Sequence, residues 1–327
     1  MSFSHYLKAV CCGGGVDAEL SEHDARLLFG AMIDGGVPEL ELGALLVALQ
    51  MKPTALAELA GYAGAINERL FRLMPPPAMA RPVVLPSYGG ARDQPNLLPL
   101  LALLLHRFGV PVLVHGMLNG DGSIASAYVF RELGVMPCAN LAQAQEVLAS
   151  AGVAFVPTAV LAPGLAELLA LRGRLGLRSV AHAVARLIDP FEGDSLRVVG
   201  VEQAQALDLT REFLLVAGAH ALLLLGSHGE PYADPVNRPR IEHLFEGSAQ
   251  LLFEAETASL KKIATLPESV NAATTAAWIR RALTGETPVP LPLVNQLAAC
   301  LFAAGYTADM NQAKAIVAVE TGSLAAA

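Results

Sequence analysis

Short, predominantly apolar runs separated by segments of helical periodicity constrain the fold of this chain more than any other feature. They are Val83–Leu85, Val110–Val114, Val153–Val156, Leu196–Val201 and Ala221–Leu225. A strand that is apolar at consecutive positions must be covered on both faces, as happens in a parallel sheet whose crossover connections are helices. The pattern therefore predicts an α/β fold with a mostly parallel central sheet covered by helices.

The first part of the chain has only helical periodicity. From Asp24 to Leu73 apolar residues recur at helical spacing, and one segment carries a leucine stripe at Leu40, Leu42, Leu45, Leu46 and Leu49. The run Pro75–Pro77 ends this pattern, and helical spacing returns in Pro163–Pro190. We predict a small all-helical amino-terminal domain, residues 1–74, joined by about 163–190, and a larger α/β domain formed by residues 75–162 and 191–327.

Composition excludes several classes of protein. The longest apolar runs, such as Leu97–Leu105, are far shorter than the roughly 20 residues that span a bilayer, and the amino terminus lacks the pattern of a signal peptide. The four cysteines have no CxxC spacing for zinc or redox exchange. A formal net charge of −8 means that any polyanion site must be a local patch. We expect a cytoplasmic protein with no membrane partner.

The glycine pair Gly89-Gly90 lies between a predicted strand and a predicted helix. Backbone amides at the start of a helix attract anions, and Arg92 and Asn96 follow closely in the sequence. The pair could equally form an ordinary tight turn, with Asn96 capping the helix. The sequence leaves both interpretations open.

Arginines form the strongest charge feature, because no acidic residue lies between Glu167 and Asp189. If Arg178–Ile188 is helical, its basic side chains align on one face, and the candidate nucleic-acid-binding residues are Arg172, Arg174, Arg178, His182 and Arg186. Aligned like charges favour an anionic partner, although a solvated face or ion pairs to another helix is the common explanation. The sequence alone leaves both interpretations open.

Other chemistry is not indicated by the sequence. His115, His228 and Glu230 lack the spacing of a closed metal site, so no metal ligand set is predicted. A nucleophile elbow, a Walker loop and a dinucleotide fingerprint are also absent from the sequence. We therefore assign no catalytic residue.

Several segments resemble, in order, those of the anthranilate phosphoribosyltransferase family and cover nearly the whole chain. They are Met32–Gly36, Gly43–Gln50 and Glu58–Gly61 in the helical region, Ser87–Gly90 at the family's glycine-rich pyrophosphate loop, Val114–Gly116, Arg172–Ser179 and Asn295–Leu301. The resemblance implies the two-domain fold of that family. In the enzymes, amides, hydroxyls, a lysine and magnesium held by acidic residues bind the phosphoribosyl donor.

This chain departs from the enzymes at those positions. Tyr88 replaces a threonine, Val114 a lysine and Met117 an asparagine, and the acid pair expected after Ala221–Leu225 is missing. Such departures resemble a branch of the family that lacks transferase activity, forms dimers and binds nucleic acid. By this resemblance the possible anion cleft consists of Gly89, Gly90, Arg92, Asn96, His115 and Gly116.

Three hypotheses follow. The first is a catalytically silent homodimer, joined through its amino-terminal helices, that needs no cofactor and binds nucleic acid through the arginines. The second is an active glycosyltransferase with an altered donor or acceptor, which would use magnesium and Gly89, Gly90, Asp93, Asn96 and Glu230. The third is a sensor of a small anion without turnover. The sequence does not distinguish DNA from RNA.

Overall fold

The computed structural model describes residues 3–12, 19–120, 122–150, 152–257 and 266–322. Its helices are α1 (Ser4–Cys12), α2 (Glu22–Ile33), α3 (Glu39–Met51), α4 (Leu56–Asn67), α5 (Leu98–Arg107), α6 (Ser126–Glu132), α7 (Leu141–Ser150), α8 (Thr158–Leu161), α9 (Pro163–Ala170), α10 (Arg172–Leu175), α11 (Val180–Ala185), α12 (Gln205–Val216), α13 (Ala272–Leu283), α14 (Leu291–Ala303) and α15 (Met310–Thr321). Its strands are β1 (Val83–Ser87), β2 (Val112–Gly116), β3 (Val153–Pro157), β4 (Leu196–Val201), β5 (Ala221–Leu225), β6 (Ile241–Phe245) and β7 (Ser248–Phe253).

The chain forms two compact units. One is helical and comprises Met1–Phe71 and Thr158–Ile188, and the other comprises Arg72–Pro157 and Asp189–Ala327. The domain boundaries predicted from the sequence, after residues 74, 162 and 190, stay a prediction about which parts of the chain fold independently. Within the described residues, every helix is too short or too polar to serve as a membrane span.

The helical unit is built around α2 and α4. Phe29 and Tyr62 are buried between them with ring centroids 4.9 Å apart. Leu45, Leu46 and Leu49 of α3 are also buried within this unit. These three leucines of the predicted stripe therefore belong to the core of the protomer, and they cannot supply a contact with a second copy.

The second unit contains one sheet, in the order β3-β2-β1-β4-β5-β6-β7. Strands β1 to β5 are parallel, and the paired strands β6 and β7 continue the sheet in the antiparallel sense. The first three strands are buried at every position, as expected for strands covered on both faces. This confirms the predicted fold class, a small helical domain with a larger, mostly parallel α/β domain.

Candidate functional site

The carboxyl ends of the parallel strands bring three distant segments together. Ser87 ends β1 beside Gly116, which ends β2, and the segment that follows β5 folds back over the same edge. Gly89, which follows β1, lies against the backbone of this segment, where a Cβ atom would overlap the carbonyl oxygen of His228. Gly226, within the segment, lies in the same way against the carbonyl oxygen of Glu230. Ligands of open α/β folds bind at this edge of the sheet.

The carboxylate of Glu230 occupies the centre of this arrangement. Its Oε1 accepts hydrogen bonds from the backbone amides of Gly89, at 2.5 Å, and Gly90, at 2.8 Å. Its Oε2 accepts from the hydroxyls of Ser87, at 2.8 Å, and Ser126, at 3.2 Å. Glu230 is completely buried. The amides that the sequence offers as a candidate anion site are therefore bonded to a carboxylate of the chain itself.

A second layer of polar groups holds this carboxylate. Asn96 is completely buried, and its amide nitrogen donates to the Ser126 hydroxyl and to the carbonyl of Ile124, both at 3.0 Å. Its Oδ1 accepts from the amide of Leu98 at 3.3 Å, at the start of α5, but the N-cap residue of that helix is Leu97, which makes no side-chain cap bond. Sequence reasoning missed Ser126, because nothing in the chain links it to a glutamate 104 residues away.

The remaining residues of the predicted cleft have other partners. Arg92 is half exposed, and its guanidinium lies 4.0 Å from the carboxylate of Glu202. His115 is completely buried, and its Nδ1 lies 2.8 Å from the hydroxyl of Tyr88. The assignment of Arg92 to the anion cleft stays a prediction.

An open cavity of about 400 Å³ lies beyond the carboxyl end of β5. Its charged lining among the described residues comprises Asp93, Asp234, Glu256, Arg238 and His228. Arg238 pairs with Glu256 at 2.9 Å, and His228 lies 2.5 Å from Asp93. A lining with more carboxylates than guanidinium groups repels a pyrophosphate.

The helix considered for Arg178–Ile188 is shorter in the structure. Gly176 takes a left-handed conformation that ends α10, and the next helix, α11, begins only at Val180. The helix predicted for Arg178–Ile188 therefore spans Val180–Ala185 alone. Arg178 precedes it and Arg186 caps its end.

His182 is buried in α11, with 4% of its surface exposed, instead of lying on an exposed basic face. Val180, Ala181, Val184 and Ala185 are buried around it, because α11 is covered on nearly all sides. The Nδ1 of the imidazole accepts a hydrogen bond from the Ser179 amide at 3.3 Å. His182 is therefore excluded as a direct contact with a phosphate.

Burial first, and then the positive charges of Arg178, Arg172 and Arg186, lower the pKa of His182 to about 3. Each of these arginines is partly exposed, and Arg174 is exposed with its guanidinium 3.4 Å from Glu39. Three guanidinium groups from α10, from the segment before α11 and from the end of α11 thus act electrostatically on one buried imidazole. Together with Arg174 we call these residues the arginine cluster.

Comparison with known proteins places this geometry in a family. Residues 4–69 match the helical bundle domain of the glycosyl transferase family. An uncharacterized protein of Escherichia coli, YbiB, is 36% identical over 318 residues, with 97% of this chain and 99% of that protein covered. The anthranilate phosphoribosyltransferase of Methylobacterium nodulans is 28% identical over 98% of this chain and 95% of the enzyme. The chain belongs to the anthranilate phosphoribosyltransferase-like family.

Solved structures of the family share the fold. The anthranilate phosphoribosyltransferase of Thermus thermophilus superposes with a TM-score of 0.75 at 25% identity, covering 98% of this chain and 94% of the enzyme. The enzyme of Saccharomyces cerevisiae, solved in complex with PRPP and Mg, superposes with a TM-score of 0.74 at 16% identity, covering 98% of this chain and 93% of the enzyme. The second likeness shows the fold alone.

The residues of this chain do not fit the PRPP and Mg that the yeast enzyme holds. The glycine amides of the family's pyrophosphate loop are bonded to Glu230. Across the described ranges, no three His, Cys, Asp or Glu side chains converge as a metal ligand set. A family ligand at this loop would have to displace a buried carboxylate from four hydrogen bonds.

Proposed function

We propose that this chain is a non-catalytic member of its family that binds nucleic acid without sequence specificity through the arginine cluster. The grouping of Arg172, Arg178 and Arg186 at α10 and at the two ends of α11 carries the proposal, because all three side chains are partly exposed and their charges all act on His182. Partly exposed guanidinium groups placed in this way form the local basic patch that an acidic protein needs to bind a polyanion.

Contacts of this kind favour the nucleic-acid backbone over base edges. Guanidinium groups bind phosphate oxygens in pairs of hydrogen bonds, and such contacts position a strand without reading its sequence. Arg174 extends the cluster on α10, where its exposed side chain can exchange Glu39 for a phosphate. The proposal makes no distinction between DNA and RNA.

The absence of transferase activity is the second part of the proposal. The buried Glu230 supplies in advance the negative charge that a pyrophosphate would bring to Gly89 and Gly90. Because two anions cannot share two amides, donor binding requires Glu230 to leave a site where its charge is fully hydrogen-bonded. An active glycosyltransferase, the alternative, therefore needs a rearrangement of this loop.

We also propose a homodimer joined through the amino-terminal helices, in the cytoplasm. Although Leu45, Leu46 and Leu49 are buried in the protomer, α3 exposes Leu40 and Met51, which are 83% and 79% accessible. Val47 lies between them on the exposed surface of the same helix. Self-complementary pairing about a twofold axis would cover this apolar stripe and present two arginine clusters to one strand.

Fluorescence anisotropy with labelled single-stranded DNA at several salt concentrations tests nucleic-acid binding. Arg178→Ala combined with Arg186→Ala should weaken binding and reduce the slope of log affinity against log salt by about 1.4, or about 0.7 per lost contact. Arg131→Ala combined with Arg281→Ala, at exposed sites in the other unit, makes the same charge change. Equal losses in both double variants would mean that net charge alone drives the binding.

Calorimetry with PRPP and Mg²⁺ tests the second part. We expect no heat of binding for the parent protein, because the loop amides are occupied. Magnesium-dependent donor binding, followed by formation of phosphoribosyl-anthranilate at an ordinary enzyme rate, would refute the absence of transferase activity.

A further inference from the structure

An apolar pocket adjoins the arginine cluster in the helical unit. It has a volume of about 230 Å³ and is lined by Glu39, Leu42, Gly43, Leu171, Arg174 and Leu175. The three leucines are partly exposed, so they present apolar surface to solvent at the floor of the pocket. Glu39 and Arg174 form an ion pair at 3.4 Å between exposed side chains at its rim.

The volume of this pocket suits a group about the size of a single ring system. Pockets for drug-sized ligands usually have roughly 300–1,000 Å³, so this one suits a smaller group. Gly43 contributes to the opening, since a Cβ atom placed there would meet nothing within 4 Å. An apolar floor beside a guanidinium plane is a surface on which an unpaired base can stack.

From this placement we propose that the pocket receives one base of a single strand whose phosphates contact the arginine cluster. The inference rests on the proposed nucleic-acid binding and extends it to the substrate class. Arg172 and Arg174 lie on the helix that lines the pocket, so backbone and base contacts fall within neighbouring nucleotides of one strand. In a duplex the bases are stacked and paired, and none can enter.

The pocket lies beside the proposed dimer contact on α3. At 100° per residue, Glu39 and Leu42 are about 100° or more from Leu40, whereas Gly43 is about 60° from it. The apolar stripe and the pocket therefore occupy adjoining faces of the helix that meet near Gly43.

The test compares a labelled oligothymidylate with an abasic strand of the same length and charge. The parent protein should bind the strand with bases about tenfold more tightly, since stacking of a base adds affinity of that order. Both strands should show the same salt slope, because they offer the same phosphates. A duplex of equal length should behave like the abasic strand once its extra charge is allowed for.

Gly43→Leu adds an apolar side chain to the lining of the pocket without a change of charge, and its Cβ atom meets nothing within 4 Å. It should remove the preference for bases while leaving the affinity for the abasic strand unchanged. Gln50→Leu adds the same side chain at an exposed position of α3 outside the lining, and should keep the preference.

Equal binding of both strands by the parent, or a preference that survives Gly43→Leu, would overturn the base pocket and leave nucleic-acid binding intact. Failure of both strands to bind at low salt would overturn the proposed function as well.

Discussion

Replacing His182 by glutamine tests the buried state of the imidazole at the centre of the arginine cluster. The ring is 4% exposed and accepts a hydrogen bond from the Ser179 amide, so protonation must place a charge in a buried site beside three guanidinium groups. Glutamine offers an amide oxygen in place of the accepting nitrogen and cannot ionise. The variant therefore isolates the cost of the buried proton.

The size of the effect follows from the two pKa values. The pKa of His182 in the folded protein is about 3, against 6.5 for an unperturbed histidine. As the pH falls below about 6.5 the unfolded chain binds the proton first, so the free energy of unfolding decreases from there down to about pH 3 and is constant above. At about pH 5 the loss relative to about pH 8 is about 2 kcal/mol.

Urea denaturation at constant ionic strength, at about pH 8, 6.5 and 5, measures this loss as a difference between parent and variant. His220 and His243 also have lowered pKa values, owing first to burial, but they contribute equally to both proteins. His23→Gln, at an exposed position of α2, is the matched control. If the parent and His182→Gln lose the same free energy between about pH 8 and 5, His182 is not buried as described.

Three further predictions concern stability and assembly. Glu230→Gln should destabilise the protein by about 3 kcal/mol in urea, because an amide cannot accept from both glycine amides and both hydroxyls, whereas Glu202→Gln should have little effect. Leu40→Glu should convert the proposed dimer to the 34.2 kDa monomer in light scattering. In thermal unfolding, Gly43→Ala should stabilise α3 by up to about 1 kcal/mol, because its new Cβ atom meets nothing within 4 Å. Gly226→Ala should instead lower the stability of the protein by several kcal/mol, because its new Cβ atom would overlap backbone atoms. An unchanged midpoint for Glu230→Gln, a dimeric Leu40→Glu protein or equal effects of both glycine variants would contradict these expectations.

The strands of the parallel sheet could be predicted from the sequence because strands that are buried on both faces have apolar residues at consecutive positions. The five predicted runs correspond to β1–β5 within two residues at their ends. The paired strands β6 and β7 were missed. β7 is exposed at most of its positions, so it lacks the apolar pattern, and the turn between the strands uses Glu246, a non-glycine residue with positive φ.

Local sequence also predicted the properties of two sites without predicting their occupants. Gly89 and Gly90 were considered as either an anion site or an ordinary tight turn from their position before a helix, and the cluster of arginines was noted from the absence of nearby acidic residues. Neither signal indicates which anion is bound or which basic residue is exposed. Glu230 reaches the glycines across 141 and 140 residues, and the topology of the sheet alone brings them together.

His182 shows the same limit at short range. Its spacing from Arg178 and Arg186 predicted an exposed row, but a helix of six residues that is covered on nearly all sides has no exposed face for it. Periodicity in the sequence fixes which residues share a face, because it depends only on backbone geometry. Whether that face meets solvent depends on the neighbouring helices, which are contributed by parts of the chain far away in sequence.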